Sequence, residues 1–271
     1  MFRYIAGNSI RHVINSSEKA LVNNKIPIVN FAIEESSDKN KIYTEHKNLI
    51  QTLKPINKIA IKLSSFEFDL DMVNSIINQA KKKGIQIIID AEKNSDYNKY
   101  QELSNKLMFS HNKNEFNIIK TYQMYRKDSH NTLLDDYKFF LDRNIKFGNK
   151  MVRGAYWNSE FKGGHLYLEK KDTDFNYDKT ILFLAQNNVK SLNILATHNK
   201  DSIYLGHILN KYQNKKIFQF AHLLGMRENV YKNLRDEKVH VYIPYGPYRE
   251  MIPYLFRRLY ENIDTIKYIF T

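Results

Sequence analysis

The sequence predicts an α/β protein built as a distorted (βα)8 TIM-like barrel, and three observations support this fold class. Short apolar runs rich in Ile and Val alternate eight times with longer segments of helical periodicity. Such alternation indicates parallel strands covered by helices, and eight units in roughly 250 residues are what a closed barrel requires. No Gly-rich phosphate loop follows the first run, so a doubly wound open sheet is the second choice.

The eight predicted strands follow one another at regular intervals, after an extra N-terminal helix expected over residues 9–23. They are the runs IPIVNFAI, KIAIKLS, IQIIIDA, FNIIKTYQMY, KFGNKMVRG, SLNILATHN, KIFQFAH and VHVYIPYG. The helices that follow them are predicted over residues 44–54, 70–84, 95–109, 132–144, 174–188, 200–213, 227–237 and 248–262. No Gly/Ser/Pro-rich linker divides the chain, so residues 1–271 are expected to form a single domain.

Composition limits the possible partners and compartments. The chain has no cysteine, which excludes disulfides and thiolate catalysis. A net charge of +13 is compatible with a basic barrel that binds nucleic acid, but the lysines are scattered among asparagines and favour a compositional bias. No apolar stretch has the length of a membrane span, and no secretory signal is visible at the start. A cytoplasmic or mitochondrial matrix protein is therefore expected, not a secreted one.

Polar side chains recur where the predicted strands end. They are Lys62, Asp90, Gln123, Arg153, Thr197 with His198, His222 and Tyr242. In a barrel of this kind the carboxyl ends of the strands carry the chemistry. Taken singly, each has a structural alternative, such as a helix cap for Asp90 or Thr197. No set of His, Asp and Glu has the spacing of a metal site, so no metal is predicted.

The last unit carries an unusual helix face. In YLFRRLYEN, Tyr254, Arg257, Arg258 and Glu261 are spaced i, i+3, i+4 and i+7, which places them on one side of a helix. Two adjacent guanidinium groups can clamp a carboxylate or phosphate. A solvated face with Arg–Glu pairs explains the same spacing equally well.

Eight short motifs in collinear order resemble the proline dehydrogenase family. They are IKLS, IDAE, TYQ, KMVRGAYW, ATHN, LLGM, YIPYGP and YLFRRLYEN. The form of KMVRGAY is similar to the eukaryotic branch, whereas the bifunctional bacterial proteins exchange the cations at Lys150 and Arg153. The resemblance implies a monofunctional flavoprotein with FAD across the carboxyl ends of the strands and the helix after the eighth strand over the barrel mouth.

The resemblance also assigns residues by position. The implied proline-binding residues are Lys62, Asp90, Leu223, Tyr242, Tyr254, Arg257, Arg258 and Glu261. The implied FAD-binding residues are Gln123, Lys150, Val152, Arg153, Gly154, Tyr156, Trp157, Thr197, His198 and Asn199. Whether Lys150 or Arg153 is the closer flavin contact stays open, as does the role of His222, which stands where glutamine is common. No side chain is assigned as a catalytic acid or base.

The implied reaction is the oxidation of L-proline to Δ1-pyrroline-5-carboxylate, the first step of proline catabolism. A hydride passes to FAD, and the electrons pass on to a quinone, with peripheral contact at the inner membrane. No aldehyde dehydrogenase domain is attached, so a separate pyrroline-5-carboxylate dehydrogenase is expected downstream. Oxidation of hydroxyproline or a related cyclic amino acid is the alternative within the same enzyme class.

Overall fold

The protein folds as a closed barrel of eight parallel strands in the order β1 to β8, which confirms the predicted fold class. The computed structural model describes residues 2–33, 38–231, 233, 234 and 236–251. The strands are β1 Lys25–Phe31, β2 Lys58–Ile61, β3 Gln86–Ile89, β4 Ile118–Gln123, β5 Phe147–Val152, β6 Ser191–Ala196, β7 Phe218–Leu223 and β8 Val239–Tyr245. Each strand falls within the run predicted for it or extends it by one residue.

The helices agree with prediction in order but less well in their bounds. In the described part of the chain they are α1 Ile10–Val22, α2 Lys39–Thr52, α3 Leu70–Lys82, α4 Tyr97–His111, α5 Ser129–Asp142, α6 Trp157–Glu160, α7 Lys170–Gln186, α8 Lys200–Tyr212 and α9 Glu228–Tyr231. The short helix α6 was not predicted. The segment predicted as helix over residues 227–237 is described as helical only in α9. Residues 248–251 are helical, and the rest of the predicted last helix lies outside the described residues.

Several helices are followed by a residue in the left-handed backbone region. Asn24, Asn144 and Asn214 follow α1, α5 and α8 with φ of 55°, 58° and 47°, and Gly84 follows α3 with φ of 72°. Asparagine and glycine tolerate this conformation, which ends a helix and turns the chain toward the next strand. The many asparagines of this sequence thus have a structural use at the turns between helices and strands.

The chain divides into two compact units. The first contains the described residues up to Ile87, His222–Tyr231 and those from Val239 onward. The second contains Ile88–Ala221 and the described residues from 233 to 238. The expectation of one domain over residues 1–271 stays a prediction.

In the first unit, β1 is hydrogen-bonded to both β2 and β8. Ile28 lies opposite Lys58 on β2 and opposite Tyr242 on β8. Helix α1 packs beside β8, where Ala20 contacts Val241 and Ile243. Parallel strands buried by helices in this way must be apolar on both faces, which explains the continuous Ile and Val runs of the sequence.

In the second unit, a buried polar cluster joins α4 and α5 to β4. Lys120 is fully buried, and its ammonium donates to Asp136 at 2.6 Å and to Asn105 at 2.7 Å. The hydroxyl of Tyr122 donates to the same carboxylate at 2.7 Å. Burial lowers the pKa of Lys120, whereas the negative charge of Asp136 opposes that change. A lysine inside a strand is tolerated here because every donor of its ammonium has a nearby acceptor.

Candidate functional site

An ion pair joins the ends of β3 and β5 in the second unit. The ammonium of Lys150 donates a short hydrogen bond to the carboxylate of Asp90, and both side chains are largely buried. A buried charge is stable only when it is paired, so the charge of each residue stabilises the buried charge of the other. The pair lies at the carboxyl end of its strands, where ligands of such barrels bind.

A second cation, Arg153, follows β5 and has several partners. Its guanidinium donates to Asp174 at 2.7 Å, to Ser202 at 3.0 Å and, through a short bond, to Thr197. It also lies over the ring of Tyr177, with 4.5 Å between the guanidinium carbon and the ring centroid. These contacts hold Arg153 between the end of β5 and the helices α7 and α8, whereas Lys150 is directed toward Asp90.

The pKa values of two carboxyl groups near Arg153, those of Asp174 and Asp178, shift in opposite directions. Burial acts to raise the pKa of Asp174, but the hydrogen bonds and charges of Lys170 and Arg153 outweigh it and lower the value. The pKa of Asp178 is raised, chiefly by burial, although a hydrogen bond from Ser202 opposes the shift. Asp174, whose carboxylate lies 2.7 Å from the guanidinium, is the ion-pair partner of Arg153.

Gln123 connects the ends of β4 and β5. Its amide nitrogen donates to the carbonyl of Glu92 at 3.1 Å, and its amide oxygen accepts from the backbone N–H of Ala155 and the hydroxyl of Tyr125, both at 3.2 Å. Gln123 pairs in register with Val152, which is partly buried. Gln123 is thus held on both sides by the loops that surround it.

Gly154 is required by the neighbouring ring of Tyr125. A Cβ atom at residue 154 would lie 1.3 Å from Cδ1 of that ring, and the glycine has a φ of +146°. The resemblance to the proline dehydrogenase family implies that Gly154 is an FAD-binding residue. The structure gives a reason for this glycine in the protein itself, since Tyr125 lies against its Cα.

Two aromatic residues follow this glycine. Tyr156 is buried, and its hydroxyl donates to the carbonyl of Ala91 at 3.4 Å. Trp157 is 37% exposed and stacks on Phe161 with 5.0 Å between ring centroids and 15° between planes. Its indole N–H donates to the carbonyl of Tyr167 at 3.1 Å, so the ring orientation is fixed while part of its surface remains accessible.

The predicted residues after β6 lead directly into α8, which begins at Lys200. The side chain of Asn199 caps the helix by accepting from the backbone N–H groups of Asp201 and Ser202 at 2.9 and 3.2 Å. The hydroxyl of Thr197 accepts from the N–H of Asn199 at 3.1 Å as well as from Arg153. His198 is partly buried. The positive end of the α8 dipole is therefore next to a guanidinium, an arrangement suited to an anion.

In the first unit, three predicted residues are partly exposed. Lys62 follows β2, Leu223 ends β7 and Tyr242 lies in β8. The strand ends of β7 and β8 are joined by a bond from the N–H of Leu224 to the carbonyl of Tyr242 at 3.0 Å. The remaining predicted substrate residues, Tyr254, Arg257, Arg258 and Glu261, lie outside the described residues.

His222 is buried and packs against Tyr231, with 4.7 Å between ring centroids. Its Nδ1 hydrogen-bonds the carbonyl of Leu223 at 2.9 Å, and its Nε2 has no hydrogen-bond partner among the described residues. Burial, followed by the positive charge of Lys25, lowers the pKa of His222 to about 4. The histidine is therefore neutral near pH 7 and serves as a core residue beside α9.

Several residues that contribute to these contacts were not predicted from the sequence. Tyr125, Glu160, Asp174 and Tyr177 contact the predicted cofactor residues or the loops that carry them. Only Glu160 had a local signal, because it lies one helical turn after Trp157 in GAYWNSE. Within the described ranges no group of His, Asp and Glu could hold a metal, and no helix has the length and apolar character to cross a membrane.

The fold and these contacts define a class of protein, namely an α/β barrel with cations and hydrogen-bond donors gathered at the carboxyl ends of its strands. The family model for proline dehydrogenase matches residues 10–268. The chain therefore belongs to the proline dehydrogenase family, whose members are flavoenzymes.

Three comparisons show how the chain is related to known proteins. It is 32% identical over 211 residues to proline dehydrogenase 1, mitochondrial, of Dictyostelium discoideum, covering 70% of this chain and 36% of that protein. It is 34% identical over 215 residues to proline dehydrogenase 2, mitochondrial, of Arabidopsis thaliana, covering 71% of this chain and 44% of that protein. The chain thus spans less than half the length of either relative.

The structure of proline utilization A from Bdellovibrio bacteriovorus inactivated by N-propargylglycine matches the fold. Its TM-score is 0.89 at 20% sequence identity, over 96% of this chain and 32% of that chain. At this identity the likeness bears on the fold, which agrees with the closed barrel described above.

A test of the contact between Tyr125 and Gly154 compares two glycine variants. Gly154→Ala should lower the free energy of unfolding by roughly 2 to 6 kcal/mol, because both the ring and the backbone conformation oppose a Cβ atom. Gly164→Ala, at a φ of +74° with no atom within 4 Å of the added Cβ, should cost only about 1 to 2 kcal/mol. Urea denaturation measures both, and equal losses in the two variants would contradict the assigned contact.

The low pKa of His222 predicts a loss of stability in mild acid. The unfolded chain binds a proton near the ordinary value of 6.5, whereas the folded chain binds one only near 4, so stability falls as the pH decreases between these values. Between pH 7.5 and pH 5 this effect of His222 lowers the free energy of unfolding by about 2 kcal/mol. Over the same pH change, the free energy of unfolding of His222→Gln should fall by about 2 kcal/mol less than that of the wild type. Urea denaturation of both proteins at the two pH values measures this difference. The same loss in both proteins would show that His222 does not titrate as described.

Proposed function

We propose that this protein oxidises L-proline to Δ1-pyrroline-5-carboxylate, with FAD as its cofactor and a quinone as the final electron acceptor. The family match over residues 10–268 carries this proposal. The reaction is the first step of proline catabolism, and a separate pyrroline-5-carboxylate dehydrogenase would use the product. We further propose that residues 1–271 act as one barrel domain.

The donors in the second unit fit a flavin dinucleotide. Such a ligand combines a diphosphate with a flat ring system whose edge accepts hydrogen bonds, so it requires cations and polar donors in a largely dry setting. Lys150 and Gln123 are buried, and Arg153 lies beside the capped N-terminus of the 13-residue helix α8. Trp157 adds an aromatic surface that is fixed in orientation and partly accessible. When bound, FAD supplies the two-electron acceptor for the hydride that leaves the proline ring.

The two cations are suited to different parts of this ligand. Arg153, fixed by Asp174 and next to the start of α8, is suited to the diphosphate, since both a guanidinium and a helix N-terminus favour an anion. Lys150, oriented by Asp90 at the strand ends, is suited to the redox ring, where its positive charge would favour the negative charge gained on reduction. The proposed set of FAD-binding residues is Gln123, Lys150, Val152, Arg153, Gly154, Tyr156, Trp157, Thr197, His198 and Asn199.

The substrate assignment follows from the family and from the chemistry of the residues. Arg257 and Arg258 would clamp the proline carboxylate, and Glu261 would orient them. Holding the carboxylate fixes the ring carbon that loses the hydride and lowers the entropic barrier of the encounter. The other proposed substrate-binding residues are Lys62, Asp90, Leu223, Tyr242 and Tyr254. In the alternative reaction, with hydroxyproline, Tyr242 is the side chain best suited to contact the added hydroxyl group.

A spectroscopic experiment tests the cofactor and the substrate together. Purified protein should be yellow, and anaerobic L-proline should bleach the flavin absorbance. Pyrrolidine, which lacks the carboxylate, should bleach it at least about tenfold less efficiently, because a charge-assisted hydrogen bond contributes about 1.5 to 3 kcal/mol. Bleaching rates with 4-hydroxyproline distinguish the alternative substrate. Colourless protein that cannot be reconstituted with FAD would overturn the proposal.

We also propose peripheral contact with an anionic membrane, on the cytoplasmic or matrix side, where a quinone would be reached. The two relatives described above are named mitochondrial. Helix α8 carries an exposed stripe of Tyr204, Ile208 and Tyr212, spaced four residues apart and next to the exposed Lys211. Apolar residues flanked by lysine suit a surface of anionic lipid, and the net charge of +13 adds long-range attraction.

Co-sedimentation with lipid vesicles tests this contact. The protein should bind vesicles that contain phosphatidylserine at low salt, should bind less at high salt, and should bind neutral vesicles weakly. The variant Ile208→Ser should weaken binding, whereas Val22→Ser, at an exposed apolar residue of α1, should not. No binding to anionic vesicles at low salt would argue against the contact.

A further inference from the structure

The loop after β5 lies against the loop after β4 through backbone hydrogen bonds. The N–H of Lys127 donates to the carbonyl of His165 at 3.0 Å, and the N–H of Tyr167 donates to the carbonyl of Tyr125 at 2.8 Å. Arg126 and Leu166 form an antiparallel bridge between these two bonds. The far end of the β5 loop is thereby anchored, while Gly154 to Trp157 lie at its near end.

Glu160 joins this loop to two others. Its side chain is only 10% exposed, and Oε1 accepts from the backbone N–H of Asn94 at 2.7 Å. Its Oε2 lies 3.5 Å from the hydroxyl of Tyr125 and 3.5 Å from Nε2 of His165. Asn94 belongs to the segment after β3, and Tyr125 to the segment after β4. A single carboxylate therefore connects the loops that follow three successive strands.

One partner of Glu160, Tyr125, reaches the residues proposed to hold the cofactor. The ring of Tyr125 lies against Gly154, and its hydroxyl is also 3.2 Å from the amide oxygen of Gln123, so its one hydrogen is shared between two acceptors. Burial, and next the charge of Glu160, raise the pKa of Tyr125, which keeps this hydrogen in place. Asn94 in turn accepts from Arg126 at 2.7 Å.

We propose that Glu160 is a positioning residue for cofactor binding, which holds Gln123 and the segment from Gly154 to Trp157 in the conformation that receives FAD. This inference rests on the proposed function. Because Glu160 lies at the end of α6, one turn after Trp157, its bonds to Asn94 and Tyr125 fix the orientation of that helix as well. Loss of the carboxylate frees the near end of the loop, and a bound flavin then leaves more readily.

Hydrogen exchange tests the contact itself, without reference to the flavin. In Glu160→Ala the amide of Asn94 should exchange about tenfold faster or more, because it loses a charged acceptor. The matched control is Glu169→Ala, an exposed glutamate of the same loop whose side chain makes no capping bond. In this control the amide of Asn94 should exchange at the wild-type rate. Unchanged exchange in Glu160→Ala would overturn the proposal.

Flavin release tests the consequence in the holoprotein. After dilution, the fluorescence of free FAD should rise about tenfold faster or more in Glu160→Ala than in the wild type or in Glu169→Ala. Glu160→Gln keeps an acceptor for the N–H of Asn94 and should restore release to within about threefold of the wild-type rate. General destabilisation would not be rescued by this neutral residue. Release as slow in Glu160→Ala as in Glu169→Ala would contradict the positioning role.

Tyr125→Phe provides a second variant if Glu160→Ala does not fold. It removes only the hydroxyl, so the ring remains against Gly154 while FAD release should accelerate by about threefold. Release at the wild-type rate in Tyr125→Phe would overturn the part of the proposal that concerns this residue. A wild-type protein that never holds FAD would instead refute the proposed function, because the exchange experiment still reports on the contact between Glu160 and Asn94.

Discussion

Burial of both faces of the parallel strands is the constraint on which this structure depends. Strands β2 and β4 are buried along their whole length, so a charged side chain on such a strand needs a buried partner. Lys120 meets this requirement with Asp136 on the helix side of β4, and Lys150 meets it with Asp90 at the strand ends. The first pair joins helices to the sheet, whereas the second leaves paired charge where ligands of such barrels bind.

The candidate site therefore consists of two groups of residues with different structural roles. Residues of the strand ends, such as Gln123, Lys150 and Arg153, supply donors and positive charge. Residues of the loops, such as Tyr125 and Glu160, join neighbouring loops to one another, and Tyr125 also donates to the amide oxygen of Gln123. Precise donor placement matters because electrostatic stabilisation depends on groups that need no rearrangement during the reaction. In the proposed function, Tyr125 and Glu160 would therefore act on cofactor binding through the residues that they hold.

A barrel of this type is compatible with many activities, so the fold alone does not determine what the protein does. The family match over residues 10–268 supports the proposed activity, flavin-dependent proline oxidation, and the paired cations of the second unit suit an anionic dinucleotide. The two cations are not equivalent in their surroundings. Arg153 has partners on α7 and α8, whereas Lys150 is paired with Asp90, and this difference supports separate roles in cofactor binding.

The sequence by itself determined the number, order and type of the strands, because apolar runs and helical periodicity are local properties. Its motifs also indicated the strand-end residues. Only the tertiary structure decided that Lys150 pairs with Asp90, that Gly154 faces Tyr125, and that Glu160 binds the backbone of Asn94. These contacts join residues that are distant in the chain, so they depend on the register between strands. A one-residue shift in the register of β5, for example, would direct the side chain of Lys150 to the opposite face of the strand, away from Asp90.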